Sequence, residues 1–408
     1  MTSTPWKTDR WFTSPWNFVD EVKATHHFAP RIQFHDVSLR DGEQQTRLVF
    51  TKDQKVALAE KMAAVGIHRI EAGMPAVSPQ DAAAITEIVK RNFGPQIFSF
   101  ARCMKEDVKR SVDCGVKAIV MEVPASEHIL QYAYKWDLER AVALSVEATQ
   151  YAKAQGLYTV FFPIDGSRAD MQWFLDLIER VATEGHMDAL VCVDTFGGLA
   201  PSACGYLIRK IKERIPTKPI EVHFHDDFGI GAANTLLALA AGADVAHTTI
   251  SGIGERAGNA AYEDVALTLL TMYGIDTGLK YEQIYPLSKF LREITGLTVR
   301  QNQGIIGDDL AKIESGIVAG WFANAKDVAP LELSPYLYSL TGHPEAEVVI
   351  GKHSGLITVD MYLDRLGLHA SDPQKAEILA KLKEQAHTKH GLLTLEEFTT
   401  IAHRVLGA

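Results

Sequence analysis

Ile220-Glu221-Val222-His223-Phe224-His225-Asp226-Asp227 begins as a short apolar run and ends on charge. Side chains alternate along a strand, so His223 and His225 point the same way and one metal ion takes a nitrogen from each. His-x-His also occurs on solvated strands without metal, so the flanking sequence decides. Comparable β-like runs lie at 31–36, 68–73, 96–100, 117–123, 158–162, 189–194 and 245–250, making eight with 220–225. Amphipathic segments such as 53–62 separate them, and Gly66 precedes the second run. Eight such β-α units over roughly 250 residues match the rhythm of a (β/α)8 TIM barrel. A doubly wound open sheet requires a Gly-x-Gly-x-x-Gly turn after its first strand, and that turn is missing. The expected fold is therefore α/β, with a catalytic barrel over 31–284. An arm at 1–30 carries Trp6, Trp11 and Trp16, and an α-rich appendage at 285–408 is expected to cover the barrel mouth. Its helices are expected at 281–295, 310–322, 358–366, 373–390 and 395–406.

Composition sets the outer bounds. The 408 residues are 47% hydrophobic and 23% charged, enough for one large core and an appendage. A net charge of −10 argues against nucleic acid, whose phosphates need clustered Lys and Arg. No apolar run reaches the length of a membrane span, and the N-terminus has no secretory pattern. Cys103, Cys114, Cys192 and Cys204 lack Cys-x-x-Cys spacing and read as reduced thiols of a cytoplasmic protein.

In a barrel of this kind the active site lies at the C-terminal ends of the strands. Arg40 and Asp41 follow the first strand, Glu71 ends the second, Thr195 follows the sixth, and Glu255 and Asn259 follow the eighth. Asp41, His223 and His225 offer one carboxylate and two imidazoles, a mixed set suited to Mn²⁺, Zn²⁺ or a similar ion that polarises a carbonyl. Asn259 completes the coordination or orients a ligand. Arg40 suits a carboxylate or a developing enolate oxygen. Glu71 reads as a partner of Arg40 rather than an acid or base, and His35, His68 and His247 read as structural.

Four ordered motifs resemble those of the isopropylmalate, homocitrate and citramalate synthases. They are Arg40-Asp41-Gly42-Glu43-Gln44, His223-x-His225-Asp226-Asp227, Gly254-Glu255-Arg256-x-Gly258-Asn259 and Gly351-Lys352-His353-Ser354-Gly355, supported by Ile70-Glu71-Ala72-Gly73-Met74-Pro75. The resemblance implies Claisen condensation of an acyl-CoA, acetyl-CoA in the first instance, with a 2-oxo acid. It implies a divalent metal (Mn²⁺, Mg²⁺ or Zn²⁺) held by Asp41, His223, His225 and Asn259, with Arg40 on the keto group and Thr195 on the substrate carboxylate. Arg40, Glu71 and Glu255 make up the catalytic set. The partners implied are small molecules, and a homodimer is the expected assembly. The inhibitory domain by which leucine controls isopropylmalate synthases does not follow residue 355, so leucine feedback is not expected.

The departures are equally specific. Ile164 stands where the synthases place a catalytic Glu, Val318 where they place a His, and Leu331 where they place a Tyr. Losing an aligned base costs about 10²–10⁴ in rate. Either the local alignment differs, or His353, Glu314, Asp308 or Asp165 substitutes, or the same centre runs a cleavage or decarboxylation. The turn at 252–256 lacks the Cys of hydroxymethylglutaryl-CoA lyases, which puts condensation first, a lyase second and a non-catalytic sensor last. Homocitrate synthases hold a second carboxylate on strand five, where this chain has Val160 and Phe162. Those side chains predict a neutral or apolar substrate tail, unless Arg168 or Arg102 points inward.

Overall fold

The computed structural model describes residues 4–407, and each β-like run of the sequence lies on a strand within it. These are β1 (Gln33–Asp36), β2 (Arg69–Glu71), β3 (Gln96–Arg102), β4 (Ala118–Pro124), β5 (Tyr158–Ile164), β6 (Ala189–Asp194), β7 (Ile220–Phe224) and β8 (Val245–Thr248). All pair in parallel in sequence order, and β1 closes on β8 through Gln33–Val245 to Asp36–Thr248. The fold is the (β/α)8 barrel that the spacing predicts. Parallel strands covered on both faces need near-continuous apolar sequence, and β6 is buried at every residue.

Helices cross from strand to strand: α1 (Lys52–Val65), α2 (Pro79–Arg91), α3 (Lys105–Asp113), α4 (Leu138–Ala154), α5 (Met171–Thr183), α6 (Pro201–Arg214), α7 (Gly231–Ala240) and α8 (Tyr262–Met272). Local sequence sets their limits. Thr51 and Gln54 form a reciprocal capping box at the start of α1, and Gly66 ends it at φ 95°, a conformation costly for any residue with a Cβ. Inside the barrel Phe98, Phe100, Val120, Val160, Phe162 and Val191 form one apolar cluster. Each large side chain buried there contributes about 1.5–3 kcal/mol.

The described residues divide into two compact units, 15–299 and 300–407 together with 4–14. The division falls later than 284 because α9 (Ile284–Thr295) belongs to the barrel unit. Ser288 Oγ meets Ser251 Oγ at 2.7 Å, and Gln54 of α1 donates to Ile294 O at 2.7 Å. The arm also splits. Phe12 N donates to Pro335 O and Leu337 N to Arg10 O, tying this stretch to the C-terminal unit, whereas Trp16 is 77% exposed.

The C-terminal unit holds α10 (Gly316–Ala325), α11 (Leu356–Leu366), α12 (Asp372–Lys389) and α13 (Leu395–Leu406). A helix beginning at residue 310 is not formed. Lys312–Ile313 pairs in parallel with Glu347–Val348 instead, and α10 starts only at Gly316. The last three helices close around Val359, Leu363, Ile378, Leu382, Phe398 and Ile401.

Candidate active site

The turn after β1 is built to hold Asp41 still. Lys55, 2% exposed, reaches from α1 to Leu39 O at 3.1 Å, Glu43 Oε2 at 2.5 Å and Asp81 Oδ1 at 2.6 Å. A Cβ on Gly42 would lie 2.7 Å from Ile253 Cδ1, so the turn packs closely against the loop after β8, and a larger residue there would push the Ile253 side chain aside. In that loop Gly258 sits at φ 86°, and a Cβ would lie 1.8 Å from Gly252 O. This close approach lets Asn259 bridge to His225.

Asp41 Oδ2 lies 2.9 Å from His223 Nε2 and 3.5 Å from His225 Nε2. One donor atom from each residue falls within 4.8 Å of the others, and all three residues are buried. Burial alone raises the Asp41 carboxyl, but Arg40 and the two histidines hold it well below the usual carboxylate range. Burial lowers the His223 imidazole to about 3 against the pull of Asp41, and it lowers His225 as well. Neutral imidazoles beside an ionised carboxylate are the protonation states a divalent cation needs. Asn259 Nδ2 donates to Ile253 O at 3.3 Å, while its buried Oδ1 has no hydrogen-bond partner. That orphaned oxygen beside His225 fits a fourth ligand, so the donor set suits a divalent ion.

Arg40 is fixed from behind. Its Nε donates to Glu71 Oε1, its guanidinium lies 3.9 Å from the Phe100 ring centre, and its buried Nη2 has no protein partner. Glu71 is fully buried and pairs with Arg40.

Arg40, Asp41, His223 and His225 open on a cavity of about 550 Å³ that Thr195, Glu255, Phe162 and Ile164 also line. Thr195 Oγ1 accepts from Asp165 N at 2.8 Å, which leaves its hydroxyl proton to donate. Val160 does not reach the cavity; it is fully buried in the apolar cluster beneath. Arg168 is turned away, paired with Asp165 at 2.7 and 2.9 Å, and Arg102 grips Asp107. Asp165 is thereby committed, and it is no substitute base. Val318, Glu314 and His353 belong to the C-terminal unit, where Val318 and Glu314 line a separate cavity. The sequence reading missed Glu122, a cavity-lining carboxyl from the inward face of β4. Its signal is one Glu inside Ala118-Ile119-Val120-Met121-Glu122-Val123.

A family profile described as HMGL-like matches residues 31–291, the whole of the closed barrel. The chain belongs to the HMGL-like family. Among HMGL-like proteins, one assigned provisionally as the (R)-citramalate synthase CimA of Archaeoglobus fulgidus is 39% identical over 356 residues, 87% of this chain and 71% of the relative. The homocitrate synthase AksA of Methanothermobacter thermautotrophicus is 32% identical across 92% of this chain and 93% of its own. The 2-isopropylmalate synthase of Methanocaldococcus jannaschii is 34% identical across 86% and 68%. The HMG-CoA lyase of Bacillus subtilis superposes with a TM-score of 0.61 at 22% identity, covering 68% of this chain and 98% of the lyase, a likeness of fold. No helix among the described residues of this HMGL-like chain is long and apolar enough to cross a membrane.

Proposed function

We propose that this HMGL-like protein condenses an acyl-CoA, acetyl-CoA in the first instance, with a 2-oxo acid bearing a neutral or apolar tail, giving a 2-hydroxy acid of the alkylmalate type. The observation that carries this reading is one cavity lined by Asp41, His223, His225 and Arg40 together with Phe100, Phe162 and Ile164. The relatives named as citramalate, homocitrate and isopropylmalate synthases support it. Asp41, His223 and His225, with Asn259, would hold a divalent ion (Mn²⁺, Mg²⁺ or Zn²⁺). When bound, such an ion supplies Lewis acidity toward the keto oxygen.

The protein's own groups do the rest. Glu71 holds Arg40 so that Nη2 donates to the keto oxygen as charge develops there, the oxyanion-type stabilisation that a fixed, desolvated fork provides. Thr195 donates its hydroxyl to the substrate carboxylate. Glu255, 56% exposed at its side chain, is the solvent-facing carboxylate of the cavity and takes the methyl proton. The carbanion then forms the new C–C bond at the keto carbon, the keto oxygen gains a proton, and water releases CoA from the thioester. Four free, buried cysteines support a cytoplasmic setting. Exposed Ile317, Trp321 and Val328 on the C-terminal unit support a homodimer.

The test is release of free CoA across a panel of acyl-CoAs and 2-oxo acids, with and without chelator. Chelator-sensitive release that depends on the oxo acid is the expected result. Cleavage of 2-hydroxy acids without any condensation would replace this reading with a lyase.

A further inference from the structure

The tail wall of the cavity contains a charge that an apolar pocket has no use for. Glu122 is the register partner of Phe162 on the neighbouring strand, so their side chains stand side by side on the inward face of the barrel. Both line the cavity with Phe100, Ile164 and Arg40. The Tyr134 hydroxyl donates to Glu122 Oε1 at 3.3 Å, and Glu122 Oε2 accepts no hydrogen bond from any described residue. Neither nearby arginine pairs with it: Arg102 holds Asp107 through Nε at 2.7 Å and Nη2 at 3.0 Å, and Arg40 gives its Nε to Glu71. Among the described residues Glu122 forms no ion pair within 4.0 Å, unlike Glu71 and Glu221. Burial raises its carboxyl pKa against the pull of Arg40, Tyr134 and Arg102, and the part-buried group faces the cavity with Oε2 lacking a protein donor.

We propose that Glu122 sets the tail preference of this site, so that a 2-oxo acid whose tail ends in a hydroxyl is taken ahead of an apolar tail or a second carboxylate. The placement rests on the condensation reading only in assigning the keto end to Arg40 and the metal-type cluster, which leaves the tail against β3, β4 and β5. A hydroxyl there donates to Glu122 Oε2 and stays neutral. An apolar tail displaces water from that oxygen and returns no hydrogen bond, and a site built around such a polar group discriminates strongly against a substrate lacking its counterpart. A second carboxylate meets a like charge at close range.

The experiment is calorimetric binding of 4-hydroxy-2-oxobutanoate, 2-oxopentanoate and 2-oxobutanedioate to the Mn²⁺-loaded protein, alongside Glu122→Gln and Glu122→Leu. The wild type is expected to bind the hydroxy acid about ten-fold or more tightly than the other two, the scale of one lost polar counterpart. Glu122→Gln keeps an acceptor but loses the charge, so its gap to the dicarboxylate narrows to a few-fold while the hydroxyl stays ahead of the methyl. Glu122→Leu reverses the order in favour of 2-oxopentanoate. Equal binding by the wild type, binding of none of the three, or the wild-type order persisting in a folded Glu122→Leu overturns the proposal. CoA release separates the two readings. Its absence with every acid, alongside the expected binding order, removes condensation and leaves the tail preference standing, whereas release with the order reversed does the opposite.

Discussion

The barrel contains two clusters of one carboxylate and two histidines, and only one of them has the surroundings of a reactive site. Asp41, His223 and His225 line the cavity at the C-terminal ends of the strands. His35, Glu221 and His247 lie on the same inward faces, with Glu221 two residues before His223 on β7, and none of them lines that cavity. In the deeper cluster both carboxylate oxygens are spent. Arg69 Nη1 meets Glu221 Oε1 at 2.6 Å and His247 Nε2 meets Oε2 at 2.7 Å. Both clusters leave buried polar atoms without partners, Asn259 Oδ1 and Arg40 Nη2 in the upper one and His35 Nδ1, His35 Nε2 and His247 Nδ1 in the deeper one, so what separates them is the cavity on which the upper one opens. Ligand chemistry alone does not make a site; it also needs space for a substrate, and only the upper cluster borders it.

The largest expected effect comes from the upper cluster. Asp41→Asn removes the carboxylate and with it the charge that a divalent ion requires, so bound metal and oxo-acid-dependent CoA release should both fall by about 10³-fold or more. The thermal midpoint of the metal-free protein should stay within a few degrees of wild type. Elemental analysis and calorimetry check both halves.

The deeper cluster should respond in the opposite sense. Glu221→Gln leaves Arg69 buried without its anion, a loss of about 3–5 kcal/mol in stability, while metal stoichiometry stays at the wild-type value. A denaturant titration and metal analysis on the same sample decide it, and a Glu221→Gln protein that unfolds normally but loses its metal would merge the two clusters into one site.

A smaller effect is the pH dependence. Burial, with His247 adding to it and Glu221 opposing, lowers His35 to about 3 in the folded protein. The unfolded chain binds a proton at His35 below about pH 6.5, and the folded one does not until about pH 3. Stability therefore falls as pH drops through that window, by about 1.4 kcal/mol per pH unit for this one group. His35→Gln should flatten the slope by about that amount between about pH 5 and 6 in the metal-free protein, read by denaturant midpoints. A slope unchanged by the substitution would mean that His35 is protonated in the folded state.

The upper cluster was legible in the sequence because each part lies in a short local motif at a strand end. His223-x-His225 needs only strand parity, and the glycines around Asn259 reflect a backbone approach that no other residue permits. All eight strands were legible for a similar reason, as short apolar runs between amphipathic segments. The deeper cluster was not, since His35, Arg69, Glu221 and His247 meet only through the register of β1, β2, β7 and β8. Glu122 was missed because a single acid in an apolar strand reads as a solvated edge until closure of the barrel turns it inward. Val160 was misplaced by one layer: two residues along β5 from Phe162, it shares the inward face but lies in the packed core. A helix was expected from residue 310, whereas pairing with 347–348 makes 312–313 a strand.

The most direct measurement is an anomalous difference map from a crystal of the Mn²⁺-loaded protein. The account predicts one strong peak bounded by Asp41, His223 and His225 with Asn259 Oδ1 alongside, and no peak at His35, Glu221 and His247. A peak in the deeper cluster, or none in the upper one, would contradict it.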